Sequence, residues 1–396
     1  MTLATQPPGP GPAGPKILLV VATYYPDSYG GAERQAQILA QALARQGARV
    51  IIAAPTVRKD LAPTESTDFG SIERIQVRTF PNLGGRNIGS TLAWTWRLLK
   101  RFRHDRNLDA IYVFHARLHA LPALLLSRAL KKPLMIKLGG GGAASDFEAL
   151  RAKRYIYGHA VLAGLLHGTA GFVANSAQIV ADLRGLRVPT HRIFAFTNGV
   201  NIPSSEAFAA ATTARTGRRL VFTGRMIEDK SVAVLFEAAC RLLSGGQELQ
   251  LTFLGDGPEQ VRLAALAQAR GLEDRILFPG VCSDVYPTLF ESDFFVSASE
   301  REGQSNSLLE AMSCGCIPIV ADASGASDVV TPGRTGFLVA GAGPDAFAAA
   351  IQQALALPAS DRRDMSRAIR EFTRDQLSVD AIAAKTLSAL QTIRES

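Results

Sequence analysis

Cysteine is scarce in this chain, and long apolar runs are missing. Its 396 residues include four cysteines, Cys240, Cys282, Cys314 and Cys316, too few for a disulfide scaffold and without zinc-site spacing. We interpret them as small buried residues in a reducing compartment. No run approaches the roughly 20 apolar residues that cross a bilayer. Residues 1–15 lack the basic and apolar regions of a signal peptide, so we expect a disordered tail and a cytoplasmic protein.

Two motifs of nucleotide chemistry are also missing. The pair Asp-x-Asp, which holds Mg²⁺ on a diphosphate in metal-dependent transferases, occurs nowhere in the sequence. We therefore expect no metal and no cofactor. No Gly-x-Gly-x-x-Gly fingerprint follows the first predicted strand, which disfavours a dinucleotide-dependent dehydrogenase.

The charge of the chain is uneven. Lys and Arg number 43 and Asp and Glu 35, giving a net charge of +8. Residues 1–200 hold 25 basic and 11 acidic residues, a net of +14, so the remainder has a net of −6. A basic half joined to an acidic half predicts two surfaces with different partners.

Apolar runs alternate with helical periods along most of the chain, which predicts an α/β fold of parallel sheets with helices on both faces. The first run, KILLVVAT, has the continuous apolar pattern of a strand buried on both faces. We predict two doubly wound, Rossmann-like domains that face each other across a cleft. The predicted parts are a tail at 1–15, a first domain at 16–200, a second at 201–378 and a final helix within 379–396.

A glycine pair, Gly30-Gly31, opens the first predicted helix. Paired glycines let the backbone approach a ligand closely, and the start of a helix attracts an anion. This predicts a contact with a nucleotide donor, although a tight structural turn would also explain the pair.

Two cations follow the first predicted strand of the second half. Arg225 comes directly after Gly224, and Lys230 stands just before a predicted helix. At the carboxyl end of a strand, such a pair can hold a diphosphate and stabilise its charge as it leaves. Solvated surface charge is the alternative. Val281, after FPG, stands where a nucleobase can meet backbone groups.

The most specific segment is SEREGQSNSLLEAMSCG, at Ser299–Gly315. Glu302 lies in a predicted loop, and Glu310 lies well inside the helix that follows. Between them a helix start offers backbone N–H groups and polar side chains, a suitable seat for a pyrophosphate: Gln304, Ser305, Asn306 and Ser307. We expect the two glutamates to bind sugar hydroxyls on one side and ribose hydroxyls on the other.

With these motifs the chain resembles the retaining glycosyltransferases of family 4, hexosyltransferases of the GT-B type. The resemblance covers the chain from Lys16 onward. It is carried by Gly30-Gly31, NGV at Asn198–Val200, Gly224-Arg225 with Lys230, GDGP at Gly255–Pro258, FPG at Phe278–Gly280, the Glu302–Gly315 segment and TGFLV at Thr335–Val339.

The resemblance implies roles for individual residues. Arg225 and Lys230 would hold the diphosphate, and with Glu302, which would bind the transferred sugar, they form the predicted catalytic set. Glu310 would hold the ribose, and Val281 would lie against the base. The final helix would cross back to the first domain.

One departure concerns the acceptor side. Similar enzymes often carry a histidine after the strand that here reads PLMIKL, but this chain continues with four glycines. His115 is a candidate replacement, although a core histidine is the commoner case. Lys137 and Asp146, which flank the glycines, are the other predicted acceptor-side residues.

The predicted function is transfer of a hexose, with retention, from a nucleoside-diphosphate sugar to a carbohydrate or lipid-linked acceptor in glycan or polysaccharide biosynthesis. A phosphorylase, a sugar-nucleotide epimerase and a catalytically silent nucleotide-sugar-binding subunit are the alternatives. We expect no nucleic-acid partner, because no nucleic-acid-binding motif accompanies the charge.

A basic stretch at 91–106 mixes aromatic residues with cations. With Trp94, Trp96 and Phe102 as interfacial anchors, its helix could lie on an anionic membrane at the inner face. The alternative is an ordinary core helix with solvated charges.

Overall fold

The chain folds into two α/β domains, each built on its own sheet. The computed structural model describes residues 14–80, 88–140, 145–152, 158–299, 304–323, 325–341 and 343–395. The strands of the first sheet are β1 Lys16–Val20, β2 Arg49–Thr56, β3 Thr64–Thr67, β4 Gly70–Gln76, β5 Ala110–Phe114, β6 Leu134–Lys137, β7 Gly171–Ala174 and β8 Ile193–Ala195. Their order is β3-β4-β2-β1-β5-β6-β7-β8, and every pairing except β3 with β4 is parallel.

Helices cover both faces of the first sheet, which is why its central strands are apolar throughout. Their bounds are α1 Gly31–Arg45, α2 Ile88–Phe102, α3 Ala120–Leu130, α4 Asp146–Arg151, α5 Gly158–Gly168 and α6 Ala177–Gly185. Alternate residues of β1 enter opposite cores: Leu18 lies in the core beneath α2 and α3, and Leu19 lies in the core beneath α1.

The second domain repeats this plan with a wholly parallel sheet. Its strands are β9 Arg219–Thr223, β10 Gln250–Leu254, β11 Ile276–Gly280, β12 Phe294–Ser297, β13 Ile317–Ala321 and β14 Phe337–Val339, in the order β11-β10-β9-β12-β13-β14. Its helices are α7 Ser205–Ala214, α8 Val232–Ser244, α9 Pro258–Ala269, α10 Tyr286–Glu291, α11 Asn306–Ser313, α12 Pro344–Leu355 and α13 Ala359–Phe372.

The last helix, α14 at Val379–Glu395, packs with the first domain although it follows the second in sequence. Ile382 and Leu390 belong to the same core as Leu19. An ion pair of 2.7 Å between Arg45 and Asp380 joins the helix to the end of α1. The chain therefore connects the two domains twice, once before α7 and once before α14.

Two expectations from the sequence are wrong. Trp94 and Phe102 are not interfacial anchors, because they are 0 % and 1 % exposed in the core of the first domain. Cys282 is exposed, whereas the other three cysteines are buried as expected.

Two arginines stabilise the carboxyl end of α11. The Arg215 guanidinium donates hydrogen bonds to the carbonyls of Cys314 (2.8 Å) and Gly315 (2.9 Å), and Arg370 donates to that of Ser313 (3.0 Å). These carbonyls have no partner within the helix, and a cation at this end also complements the helix dipole. The arrangement fixes the helix that carries Glu310.

Replacement of Arg215 should therefore destabilise the second domain. Arg215→Met leaves several carbonyls without their donor, including that of Phe290, and should lower the free energy of unfolding by about 2–3 kcal/mol. Urea denaturation of the full-length protein measures this change in the free energy of unfolding. Arg219→Met is the matched control, because its 3.4 Å ion pair with Glu291 is solvent-exposed and should contribute less than about 1 kcal/mol. Equal losses in the two variants would contradict this role for Arg215.

Candidate functional site

A cleft of about 790 Å³ lies where the carboxyl ends of the two sheets face each other. Both domains contribute to its walls, and eleven of the residues predicted from the sequence line it. They are Gly30, Gly31, His115, Lys137, Gly224, Arg225, Lys230, Gln304, Asn306, Ser307 and Glu310. Residues up to 280 positions apart in sequence thus meet in one site, as expected when parallel strands end at a common edge.

Three predicted residues that the structure describes do not line the cleft, and a fourth lies outside the described residues. Val281 is 71 % exposed, after the end of β11. Ser305 caps α11, where its hydroxyl accepts a hydrogen bond from the Leu308 amide. Asp146 is buried beneath His115. Glu302 lies outside the described residues, so its predicted role stays a prediction.

The second domain presents positive charge and a helix start to the cleft. The first amides of α11 have no acceptor within the helix, and Asn306 and Ser307 at its start line the cleft. Arg225 is exposed and makes no hydrogen bond or ion pair in the described part of the chain. Lys230 lines the same wall. Such a surface can hold two adjacent phosphates.

The two domains meet through polar contacts at this helix start. Asn198 donates a hydrogen bond of 2.8 Å to the Asn306 side-chain oxygen, and the Asn306 amide donates to the Gly31 carbonyl at 3.4 Å. A Cβ atom on Gly31 would lie 2.9 Å from the Asn306 side-chain nitrogen, so a side chain at this position would displace the Asn306 amide. The glycine pair thus permits close approach of the two domains.

Glu310 also takes part in the contact between domains. Its carboxylate lies 3.0 Å from the Arg34 guanidinium of α1, and its side chain is only 8 % exposed. Burial raises the pKa of Glu310 above its usual value, and the Arg34 charge opposes that shift. Arg34 was not among the residues predicted from the sequence, although its place three residues after Gly31 keeps it at the same end of α1.

His115, the candidate for the histidine that the resemblance led us to expect after β6, lies at the end of β5 and lines the cleft. Its backbone has the left-handed φ of 72°. Its ring covers Gly139: a Cβ atom there would lie 1.9 Å from Cε1 of His115. The glycine after β6 is therefore the space that the imidazole of the neighbouring strand fills.

Asp146 holds this part of the cleft in place from below. It accepts hydrogen bonds from the Ala116 and Gly139 amides, each at 3.1 Å, and from Arg117 at 3.0 Å, and it lies 3.3 Å from Nδ1 of His115. Burial alone would raise its pKa, but the interactions with His115 and Arg117 outweigh burial and hold the pKa well below its usual range. Asp146 therefore stays ionised and supports His115 without reaching the ligand space.

Neither an ion site nor a membrane span is found among the described residues. Among them, no three His, Cys, Asp or Glu side chains come together in a way that could hold a metal ion. Every helix in the same residues is too short or too polar to cross a bilayer.

Comparisons with known proteins match both domains. The profile described as Glycosyltransferase Family 4 matches residues 29–203, and the profile described as Glycosyl transferases group 1 matches residues 204–372. A GDP-mannose-dependent alpha-mannosyltransferase of Mycolicibacterium smegmatis is 26 % identical over 368 residues, which cover 90 % of this chain and 92 % of that protein.

A shorter match comes from Campylobacter jejuni. Its N-acetylgalactosamine-N,N'-diacetylbacillosaminyl-diphospho-undecaprenol 4-alpha-N-acetylgalactosaminyltransferase is 30 % identical over 181 residues, or 45 % of this chain. The match spans 49 % of that protein, about half its length.

The solved structure of sucrose-phosphate synthase from Thermosynechococcus elongatus superposes with a TM-score of 0.77 at 19 % identity. The superposition covers 96 % of this chain and 99 % of that one. At this identity the likeness concerns the fold, and it confirms the prediction of two facing Rossmann-like domains.

The buried carboxylate of Glu310 should make nucleotide binding depend on pH. If its ionised form accepts ribose hydroxyls, affinity for UDP or GDP should fall as the pH falls through its raised pKa, beginning above the range of an ordinary glutamate, about 4.3. A charge-assisted hydrogen bond contributes about 1.5–3 kcal/mol, so Glu310→Gln should weaken binding roughly ten- to a hundredfold at neutral pH. Calorimetric titration between pH 5 and about pH 8 measures both effects.

The control for this titration is Glu291→Gln, which alters an exposed carboxylate outside the cleft. This variant should keep the affinity and pH dependence of the unmodified protein. If Glu310→Gln binds with unchanged affinity and an unchanged pH profile, Glu310 does not hold the nucleotide.

Proposed function

Since the chain belongs to the family 4 glycosyltransferases of the GT-B type, we propose that it transfers a hexose, with retention and without a metal ion, from a nucleoside-diphosphate sugar to a lipid-linked or carbohydrate acceptor. One observation carries the proposal: the Arg225–Lys230 wall and the start of α11 face the glycine turn of the other domain across one cleft. That site suits a diphosphate between the domains.

The diphosphate is the leaving group, and its negative charge increases as the bond to the sugar breaks. Arg225, Lys230 and the amides of α11 supply fixed positive charge at that position. Fixed donors of this kind stabilise the developing charge more than water does. This field can take the place of a divalent cation, which is the physical basis for proposing a metal-independent reaction.

Retention follows if the acceptor hydroxyl attacks the face from which the diphosphate leaves. The bond from the anomeric carbon to the diphosphate oxygen breaks, the bond to the acceptor oxygen forms, and the acceptor proton passes to the leaving phosphate. Glu302 would bind the hydroxyls of the transferred sugar, as the resemblance implies. His115, held by Asp146, would lie against the sugar from the first domain.

The enzyme should stay active when divalent cations are removed and should lose activity when the Arg225–Lys230 wall is altered. We expect the turnover of nucleotide sugar in EDTA to stay within about tenfold of the untreated value, or about 1.4 kcal/mol of barrier. Arg225→Gln should lower kcat/KM by more than that, whereas Arg219→Gln, outside the cleft, should not. Release of UDP or GDP is the readout.

Two results would contradict the proposal. Activity that disappears in EDTA and returns with Mg²⁺ or Mn²⁺ would show that a metal carries the diphosphate charge. A product of inverted anomeric configuration, measured from its NMR coupling constant, would exclude the same-face mechanism.

The surface of α2 supports contact with an anionic membrane, where a lipid-linked acceptor is found. Its buried stripe is Trp94, Leu98 and Phe102. Leu92 and Trp96, 64 % and 61 % exposed, lie two positions away on the opposite face, and Lys100 continues their stripe with its ammonium 5.1 Å from the Trp96 ring. Exposed apolar residues beside cations suit the interface of an anionic bilayer. The Campylobacter relative carries undecaprenol in its name, which agrees with a lipid-linked acceptor.

Membrane binding should therefore depend on this stripe and on salt. Cations near an anionic surface contribute about 1 kcal/mol each, so Lys100→Gln with Arg103→Gln should weaken binding roughly thirtyfold at low salt. Leu92→Ser with Trp96→Ser should weaken it further. Val261→Ser removes an equally exposed apolar side chain from the second domain and should have no effect. Cosedimentation with anionic vesicles at low and high salt measures these changes, and a protein that stays in the supernatant at low salt contradicts membrane contact.

A further inference from the structure

Lys137 is a buried ammonium group in the wall of the cleft. It is the last residue of β6, it is 5 % exposed, and it lines the cleft between Phe114 and Leu138. Within the described part of the chain its side chain makes no hydrogen bond and no ion pair. Its ammonium lies 5.5 Å from the centroid of the Phe114 ring.

A buried ammonium group without a charged or hydrogen-bonding partner lowers the stability of the folded protein. A buried charge is destabilising unless it is paired and hydrogen-bonded, and an aromatic ring compensates only part of that loss. Burial lowers the pKa of Lys137 to about 7. A methionine would fill the same space without this penalty. The position therefore suits a group that gains its partner when a ligand binds.

Two further polar atoms in the same cleft also lack partners. Asn175, after β7, and Gln304, before α11, line the cleft, and their side-chain oxygens are buried and accept no hydrogen bond in the described part of the chain. A cation and two acceptor oxygens together suit a ligand with an oxyanion and hydroxyl groups. Sugar acids and sugar phosphates have this chemistry.

We infer that Lys137 binds an oxyanion, a carboxylate or a phosphate, carried by one of the two sugars that react in the cleft, while hydroxyls of that sugar donate to Asn175 and Gln304. The inference rests on the proposed function. The proposed position of the diphosphate is at the Arg225–Lys230 wall and the amides of α11, on the other domain. Lys137 lies in the wall formed by the first domain, so the partner that we infer for it is a second anionic group.

The oxyanion can come from the donor or from the acceptor, and paired ligands separate these sources. The donor pair is UDP-glucose with UDP-glucuronate, which differ by one carboxylate. The acceptor pair is a hexose with its 6-phosphate, titrated in the presence of UDP. We expect the unmodified protein to bind the anionic member of one pair at least tenfold more tightly than the neutral member, and Lys137→Met to lose that preference.

Lys132→Met is the matched control, because Lys132 precedes the same strand at its other end, outside the cleft. This variant should keep the preference of the unmodified protein. The melting temperature of ligand-free Lys137→Met should equal or exceed that of the unmodified protein, since the variant removes an unpaired buried charge. A clearly lower melting temperature would show a structural role and overturn the inference.

The remaining outcomes separate this inference from the proposed function. Equal affinities within both ligand pairs, with UDP or GDP still bound, would overturn the role of Lys137 and leave the glycosyltransferase proposal standing. Loss of UDP binding in Lys137→Met would make Lys137 a diphosphate ligand and overturn the inference as well. Failure of the unmodified protein to bind any nucleotide or nucleotide sugar would overturn both proposals.

Discussion

The contact between the start of α11 and the start of α1 is the constraint on which the site depends. Arg34 pairs with Glu310 across the domains, and Asn306 bridges Asn198 to the Gly31 backbone. Neither domain encloses the cleft by itself. Because these links are polar and lie beside the proposed diphosphate position, a bound nucleotide would exchange contacts with the same groups that hold the domains together.

This constraint explains why other parts of the fold are built as they are. Arg215 and Arg370 satisfy the carbonyls at the far end of α11, so the helix is fixed at the end away from the ligand. The return of α14 to the first domain forms a second connection between the domains beside the first, where the Val200 amide donates to the Leu377 carbonyl and the Val379 amide donates to the Val200 carbonyl. Two adjacent connections leave the cleft side as the place where the domains can separate or approach.

Most of the site residues of the second domain could be predicted from the sequence, because they lie close together along the chain. Gln304–Ser307 and Glu310 lie within one loop and helix, so their spacing already places them at a single helix start. Arg225 and Lys230 follow one strand.

The site residues of the first domain are harder to predict from the sequence, because they come from different strands. His115 could not be separated by pattern from a core histidine such as His119, whose ring Nε2 lies 2.7 Å from the Phe114 carbonyl oxygen and whose pKa is lowered by burial to about 4. The amphipathic period of α2 follows from the sequence, and Trp96 is exposed as predicted, but the pattern does not distinguish it from Trp94 and Phe102, which lie in the core.

The row of cleft residues in the first domain can be identified only when the order of the strands is known. His115, Lys137 and Asn175 stand at the ends of β5, β6 and β7, which are neighbours in the sheet. Because these residues are far apart in sequence, the pattern alone does not show that their imidazole, ammonium and amide groups form a row along one sheet edge.

In the second domain the corresponding edge presents cations and helix amides, which suit phosphates of any nucleotide sugar. A wall of three chemically different side chains is more selective, because each group accepts only part of the chemistry that a sugar can offer. The choice of sugar would then reside in the first domain and the handling of the leaving group in the second, so that variation at three strand ends could change the substrate without disturbing the diphosphate site.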